Sequence, residues 1–272
     1  MLESQDLLEL ETAVKKLESP GLTMQIVEKI GKPIEYALQS LPDKATAQIE
    51  KATSLALDKA LDVALQTMKA PSGTMASNAG HKAAAVISGG VGGAFGLPAL
   101  AVELPVSTGI ILRSVADIAR QEGEDIEQAD TRMECLAVFA MGGRSSSDDA
   151  SETTYYATRA ALAAQVKEAA KFVARQGTRA VSRESGPPLV RLIAAVASRF
   201  GIVVSEKAAA QLIPAVGAAG GAAINLMFIN HFQTMAEGHF TVRKLERKYG
   251  KECIQEEYKK VLSNKGKTAG AV

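Results

Sequence analysis

Two long stretches of this 272-residue chain carry no charged side chain, and they constrain its fold more than any other feature. Residues 83–102 contain no Asp, Glu, Lys or Arg, and residues 208–236 contain none if His231 is neutral. Each stretch is long enough to cross a bilayer or to form the central helix of a bundle. In the first stretch, however, five glycines, Ser88 and Pro98 oppose the favourable insertion energy of the aliphatic side chains. This balance favours the interior of a soluble helical bundle over a membrane span.

Small residues recur in both stretches at the spacing of a helical face. The glycines concerned are Gly89, Gly92, Gly93 and Gly96 in the first stretch and Gly217, Gly220 and Gly221 in the second. Glycine removes the side chain from a helix surface and lets a second backbone approach closely. The composition agrees, because 47% of the residues are apolar while only 4% are aromatic and none is Trp. The sequence therefore predicts an all-α, multi-helix bundle with two central, facing Gly/Ala-rich helical segments.

Other segments predict the helices around this centre. Residues 43–69 form an amphipathic helix whose apolar positions recur every three or four residues, namely Leu57, Ala60, Leu61, Ala64, Leu65 and Met68. Pro98 and Pro105 predict a break, with a new helix starting at Pro105. A later helix is expected to end near Gly201, and a further one to begin at Ser205. Residues 201–204 are the only β-like run, and it is too short to build a sheet.

Charge and cysteine content exclude several classes of protein. Thirty-one basic and 30 acidic residues give a net charge of +1, which argues against nucleic acid as a partner. The two cysteines, Cys135 and Cys253, lie far apart, so a disulfide-rich module and a Cys-rich zinc site are excluded. Acidic residues in positions 1–17 do not fit a secretory signal, and we expect a cytoplasmic protein. Residues 1–32 are interpreted as an N-terminal helical segment, 33–250 as the main helical domain, and 251–272 as the end of a helix with a flexible tail that begins near Lys265.

Several blocks, in this order, resemble the EcsC protein family. The blocks are residues 89–98 (GGVGGAFGLP), 103–105 (ELP), 112–119 (LRSVADIA), 138–143 (VFAMGG), a stretch containing Tyr155 and Tyr156, 213–225, 236–240 (AEGHF), 245–246 and 249–250. The resemblance covers most of the chain, from about Pro33 to Gly250, and the ordered combination is more specific than any single block. It implies kinship with a bacterial protein whose gene lies beside those of an ABC transporter, and it brings no catalytic residues and no defined biochemical role.

Polar residues inside apolar helices are the candidates for a functional site, because a buried charge needs a partner. Glu103 lies between two apolar stretches, and Arg113 follows ten residues later, with Asp117 one turn beyond. A structural interpretation pairs Glu103 with Arg113, or Arg113 with Asp117 at i, i+4. The alternative is a ligand-binding or catalytic role for Glu103.

A second group of candidates lies in and after the second charge-free stretch, where Asn225, His231, Glu237 and His239 occur. The two histidines are about 12 Å apart on a continuous helix, which is too far for one metal ion, and no zinc-binding spacing is present. We expect no metal and no cofactor. Hydrogen bonding between helices is the preferred role for Asn225 and His239. The glycines follow no predicted strand, which favours helix packing over phosphate binding.

Basic residues are concentrated at Arg243, Lys244, Arg247 and Lys248, where they form either a solvated helix face or a contact with anionic lipid or a partner. The sequence thus favours a non-enzymatic, cytoplasmic protein attached to a membrane surface or a membrane-transport protein. One alternative is a hydrolase in which Glu103, Arg113, Asn225 and His239 converge in a pocket. Another is a carrier of an apolar ligand between the two Gly-rich segments.

Overall fold

The structure is a computed structural model that describes residues 2–18, 22, 25–26, 39, 41–66, 97–142, 154–176, 186–211 and 217–269. Its helices are α1 (Ser4–Leu17), α2 (Asp43–Gln66), α3 (Leu97–Gln121), α4 (Ala129–Ala137), a 3₁₀ turn (Val138–Ala140), α5 (Thr154–Gln176), α6 (Pro187–Gln211), α7 (Gly217–Tyr249) and α8 (Lys251–Ala269). No strand occurs in these ranges. The all-α prediction is confirmed.

One hydrophobic core joins the helices, and α7 lies at its centre, in contact with α1, α3, α6, α8 and the 3₁₀ turn. The most extensive helix pair is α2 with α3. The predicted apolar face of α2 is buried at Leu57, Ala60, Leu61, Ala64 and Leu65. Its alanines alternate with leucines, so the neighbouring helices approach closely along this face.

Phenylalanine rings fill the space between α6, α7 and the 3₁₀ turn. Phe139 of the turn lies 5.1 Å from Phe200 of α6 and 5.2 Å from Phe232 of α7, measured between ring centroids. Phe228 adds a further edge contact with Phe232 at 5.1 Å. These tilted and edge-on arrangements are those that aromatic pairs prefer. Four phenylalanines thus pack together where three elements meet.

Three predicted helix boundaries are wrong, namely the starts at Pro105 and Ser205 and the end near Gly201. Pro105 lies inside α3 and starts no new helix. Its missing N–H leaves the carbonyl of Ala101 without a helical donor, but Ala101 is exposed and water can bond that oxygen. Likewise α6 continues through Gly201 and the β-like run, because the inward-facing Val203 and Val204 are fully buried on the helix.

Both ends of the described chain are helical, and the C-terminal helix is longer than expected. The N-terminal helix α1 packs on α7 within the common core, and the side chain of Asp6 accepts hydrogen bonds from Lys248 and Tyr249 at 2.7 and 2.5 Å. The C-terminal helix extends to Ala269, beyond the expected start of the tail at Lys265. Residues 83–96, which hold the first group of glycines, lie outside the described residues.

Candidate functional site

Three helices meet at a fully buried lysine. The Nζ atom of Lys207, in α6, donates to Glu103 Oε1 of α3 at 2.6 Å and to Asn225 Oδ1 of α7 at 2.8 Å. The same ammonium lies 4.5 Å from the ring centroid of Phe228, within range of a cation–π interaction. Lys207 and Asn225 are completely buried and Glu103 is 5% exposed. This Lys207 cluster is therefore an internal ion pair with an amide partner.

Sequence reasoning singled out Glu103 and Asn225 but missed the lysine that joins them. The predicted Glu103–Arg113 pair is wrong, because Arg113 is exposed and Glu103 binds Lys207. The sequence does contain one indication that Lys207 is buried and paired. It directly precedes the apolar residues 208–210, where a charged side chain needs a partner. Burial lowers the pKa of Lys207, and the carboxylate of Glu103 opposes that shift. The cluster joins the ends of three helices, and its ammonium is closed to solvent.

A second polar cluster surrounds His239 at the middle of α7. Its Nδ1 atom lies 3.0 Å from the hydroxyl of Tyr155 in α5, and its Nε2 atom lies 3.4 Å from Glu134 Oε2 in α4. Burial lowers the pKa of His239, so the ring is neutral near pH 7. With Glu134 ionised, Nε2 carries the ring proton toward the carboxylate, and Nδ1 accepts from the Tyr155 hydroxyl. The structural role predicted for His239, hydrogen bonding between helices, agrees with this geometry.

Two arginines complete this His239 cluster. Arg243 Nη1 donates to Glu134 Oε1 at 2.9 Å, and Arg159 makes a bidentate pair with Glu246 at 2.7 and 3.0 Å. Burial opposes ionisation of Glu134, but the bond from His239 and the positive charges of Arg243 and Arg159 outweigh it and lower its pKa to about 2. Glu134 is therefore a poor general base at neutral pH.

A cleft of about 510 Å³ opens beside the His239 cluster, between α4, α5, α7 and the start of α8. Its floor carries Glu134, Arg159, Arg243 and Glu246, each held by the ion pairs above. Its apolar wall comes from α5, and the side chain of His239 does not line it. The volume suits a small molecule. On this floor a ligand would meet charges that are already paired with one another.

The four candidates for a hydrolase pocket do not converge. Asn225 and His239 are fourteen residues apart on α7, which corresponds to about 21 Å along a helix. Glu103 belongs with Asn225 in the Lys207 cluster, and Arg113 is exposed on α3. On the same helix, Asp117 pairs with Arg120 at 2.5 Å. The geometry therefore does not favour the hydrolase hypothesis.

The basic residues near the end of α7 bind carboxylates of the chain itself. Arg243 contacts Glu124, Asp130 and Glu134, and Arg247 also contacts Glu124. The neighbouring lysines behave alike: Lys244 pairs with Glu9 and Glu122, and Lys248 pairs with Glu3 and Asp6. These ion pairs tie α7 to α1, to α4 and to the turn before α4. A surface charge that is neutralised within the chain attracts anionic lipid only weakly.

Exposed apolar side chains follow one face at the start of α3. Val102 is 73% exposed and Val106 is 49% exposed, one helical turn apart. The next two positions along this face are Ile110, which is partly buried, and Arg113, which is exposed. No ion pair joins Arg113 to another described residue. We call these four residues the α3 stripe, an apolar row that ends in a cation.

The model of the EcsC protein family matches residues 4–245. The chain belongs to the EcsC protein family. No curated protein and no solved structure matches it. The matched range of this EcsC family member contains the Lys207 cluster, the α3 stripe, helix α1 and the His239 cluster except Glu246, while all of α8 lies beyond it.

The described part of this EcsC protein contains no candidate metal site and one helix that is long and apolar enough to span a membrane. No group of three or more His, Cys, Asp or Glu side chains suited to a metal ion occurs there. One described helix, α6, is long and apolar enough to cross a membrane. Core helices of soluble proteins meet the same criterion, and Lys207, which is ion-paired inside the protein, lies in this helix.

His231 is a buried residue whose replacement should remove a pH dependence of stability. Neither ring nitrogen makes a well-formed hydrogen bond. Burial lowers the pKa of His231 to about 4, and the nearby backbone of Met141 raises that pKa by a smaller amount. Below pH 6.5 the unfolded chain takes up a proton that the folded chain refuses, so stability falls between pH 6.5 and 4. The loss amounts to about 3 kcal/mol. In His231→Leu this loss should be absent.

Urea unfolding of the wild type and His231→Leu at a series of pH values tests this expectation. Above pH 7 the variant should be at least as stable as the wild type, because it buries no unpaired imidazole. The replacement at residue 231 must not be larger than histidine, because the backbone of Gly142 packs directly against the ring. A Cβ atom at residue 142 would lie 2.5 Å from Cε1 of His231. Equal slopes of stability against pH in the two proteins would contradict the assignment.

Proposed function

We propose that this EcsC family member is a non-enzymatic, cytoplasmic protein that attaches peripherally to a lipid membrane through the α3 stripe. The observation that carries the proposal is the exposure of Val102 and Val106 on one helix face, with Arg113 at its end. Apolar side chains that are exposed together gain free energy when a bilayer covers them, and an arginine at the edge of such a face reaches the phosphate layer.

The sequence before the stripe supports the same orientation. Residues 83–102 are free of charge and lead directly into Val102, so the apolar surface and this stretch meet at one place in the chain. A charge-free stretch next to an exposed apolar face lowers the cost of lying in the headgroup region. Lipid, more than a transport protein, is the partner that an apolar row ending in one cation fits.

The basic residues of α7 have a different role in this proposal. Arg243, Lys244, Arg247 and Lys248 hold the bundle together through their internal ion pairs. The alternative of an apolar-ligand carrier concerns the space between the two Gly-rich segments, and residues 83–96 of the first segment lie outside the described residues. Attachment through α3 is the function that the described geometry supports best.

Flotation with lipid vesicles tests the proposal. Wild-type protein should float with vesicles of phosphatidylcholine mixed with phosphatidylglycerol, and more weakly with phosphatidylcholine alone. Val102→Glu combined with Val106→Glu should reduce the partition coefficient at least about tenfold, because two apolar contacts are lost and two charges are added. Arg113→Gln should weaken binding to the anionic vesicles about fivefold, since one cation near the surface contributes about 1 kcal/mol.

Val190→Glu is the matched control, because Val190 is an exposed valine of α6 outside the stripe. This variant should float like the wild type. All four substituted side chains are exposed, so circular dichroism and thermal unfolding should remain unchanged. Unchanged flotation of the double valine variant, or an equal loss in Val190→Glu, would refute attachment through α3.

A further inference from the structure

A second groove, of about 620 Å³, lies between α4 and α5. It shares Asp130 and Lys167 with the cleft beside the His239 cluster and extends away from it along α5. Its cationic residues are Arg132 from α4 and Lys167 and Lys171 from α5. Its acidic residues are Glu127 and Asp130.

Arg132 is buried without a full set of hydrogen bonds. The residue is 4% exposed, and its Nη2 atom donates to the carbonyl oxygen of Glu127 at 2.7 Å. Its Nε and Nη1 atoms are buried and have no partner. Burial lowers the pKa of Arg132, but the guanidinium of an arginine stays charged at neutral pH. A buried cation with two unused donors calls for an acceptor in the adjoining groove.

Two lysines add positive charge beside Arg132. Lys167 and Lys171 are one helical turn apart on α5, and both are exposed. Neither makes an ion pair with a described residue. Their ammonium groups are therefore available to a ligand in the groove, with Arg132 at its base.

The acidic residues of the groove leave this charge largely uncompensated. Asp130 forms an ion pair with Arg243, and the distance from Asp130 Oδ2 to Arg243 Nη2 is 3.3 Å. Glu127 is exposed, and although its charge is felt by Arg132, its carboxylate forms no hydrogen bond with the guanidinium. The charge of Asp125 also acts on Arg132, but its two carboxylate oxygens accept hydrogen bonds from the backbone N–H of Glu127 and the side-chain amide of Gln128. Three cations thus line the groove with one carboxylate, Glu127, that is free to turn into solvent.

We infer that the groove between α4 and α5 binds a phosphate monoester group through Arg132, Lys167 and Lys171. A doubly charged phosphate matches three cations better than a carboxylate does, and its oxygens accept the forked donors of a guanidinium together with the point charges of lysines. The group belongs either to a soluble phosphate compound or to a lipid such as phosphatidic acid. This inference is independent of membrane attachment through the α3 stripe.

Titration with inorganic phosphate, followed by NMR of isotopically labelled protein in low-salt buffer, is the direct test. Saturable shifts of the α4 and α5 backbone signals are expected, and chloride at equal ionic strength should not produce them. Lys167→Met combined with Lys171→Met should weaken phosphate binding at least about tenfold, because two charge-assisted contacts are lost. Lys51→Met combined with Lys59→Met, which alters two exposed lysines of α2, is the matched control and should leave binding unchanged.

Glu127→Gln and Arg132→Met provide opposite changes at the same groove. Glu127→Gln should strengthen phosphate binding several-fold, because it removes the one competing carboxylate, whereas Arg132→Met should abolish binding. If Arg132→Met unfolds, the double variant Lys167→Met, Lys171→Met and the variant Glu127→Gln still test phosphate binding, since the substituted side chains are exposed. Binding that these two variants leave unchanged would overturn the inference, as would the absence of saturable shifts in the wild type.

Vesicles distinguish the two sources of the phosphate group. Phosphatidylcholine vesicles with added phosphatidic acid should recruit the Val102→Glu, Val106→Glu variant only if the groove binds a lipid headgroup. Adding the Lys167→Met and Lys171→Met substitutions to that variant should then abolish the recruitment. Binding of inorganic phosphate without such recruitment identifies a soluble phosphate compound as the ligand. Failure of flotation through α3 leaves the phosphate titration unaffected, so the two proposals fail separately.

Discussion

Replacing Lys207 by alanine is expected to lower the free energy of unfolding by about 3–5 kcal/mol. The substitution leaves the carboxylate of Glu103 buried in α3 without its cation, and it removes the donor that Lys207 supplies to Asn225. An uncompensated buried charge costs far more than the loss of one contact. Urea unfolding monitored by circular dichroism near pH 7 measures the difference.

Two further variants show whether charge is the cause. Glu103→Leu combined with Lys207→Met removes both charges and should recover most of the lost stability, because apolar residues of similar size often replace a buried ion pair without loss. Lys59→Ala, at an exposed position of α2, should change stability by less than about 0.5 kcal/mol. If the double variant were as unstable as Lys207→Ala, packing around the cluster would explain the effect and the ion pair would not.

Replacing Arg243 by alanine should destabilise the protein by about 3 kcal/mol. The side chains of Glu124 and Glu134 are only 6% and 15% exposed, and both lose a hydrogen-bonded cation. Without Arg243, the pKa of Glu134 should rise from about 2 toward its ordinary value, since one of the positive charges that lower it is gone. Native Glu134 contributes stability above pH 4.5 that is lost as the pH falls toward 2, and the variant should lose less over that range.

Arg243→Lys and Lys244→Ala complete this comparison. Lysine keeps the charge but lacks the planar fork that contacts three carboxylates, so about half of the destabilisation should remain. Lys244, the next residue along α7, is 38% exposed, and its replacement should cost less than about 1 kcal/mol. A stable Arg243→Ala variant that loses vesicle binding would contradict the internal role assigned to Arg243 and support the contact with anionic lipid.

Much of the fold could be predicted from local sequence. The apolar face of α2 follows from residues spaced three and four apart, and the same periodicity accounts for the absence of strands in the described residues. Helix ends were less predictable. Pro105 and Gly201 weaken a helix locally by a few kcal/mol at most, and burial of α3 and α6 against several neighbours outweighs that cost.

The polar clusters were only half predictable. A glutamate in an apolar stretch indicates that some partner exists, and Glu103 and Asn225 were found on that basis. Their partner lies 104 residues from Glu103 and 18 from Asn225 in the chain, so no local pattern connects the three. Glu134, Arg159 and the hydrogen-bonding role of Tyr155 were not predicted for the same reason, because their ion pairs and hydrogen bonds join residues from different helices.

The sequence by itself determined that this chain is helical, that its interior is aliphatic and that its family is EcsC, because periodicity, composition and ordered blocks are properties of neighbouring residues. Only the tertiary structure decided which charges are paired. It paired the basic residues of α7 with acidic residues of α1, α4 and the turn before α4, and it left Arg113 and two valines of α3 exposed. The physical reason is that electrostatic energy and burial depend on distances in space, and the order of residues along the chain does not specify those distances.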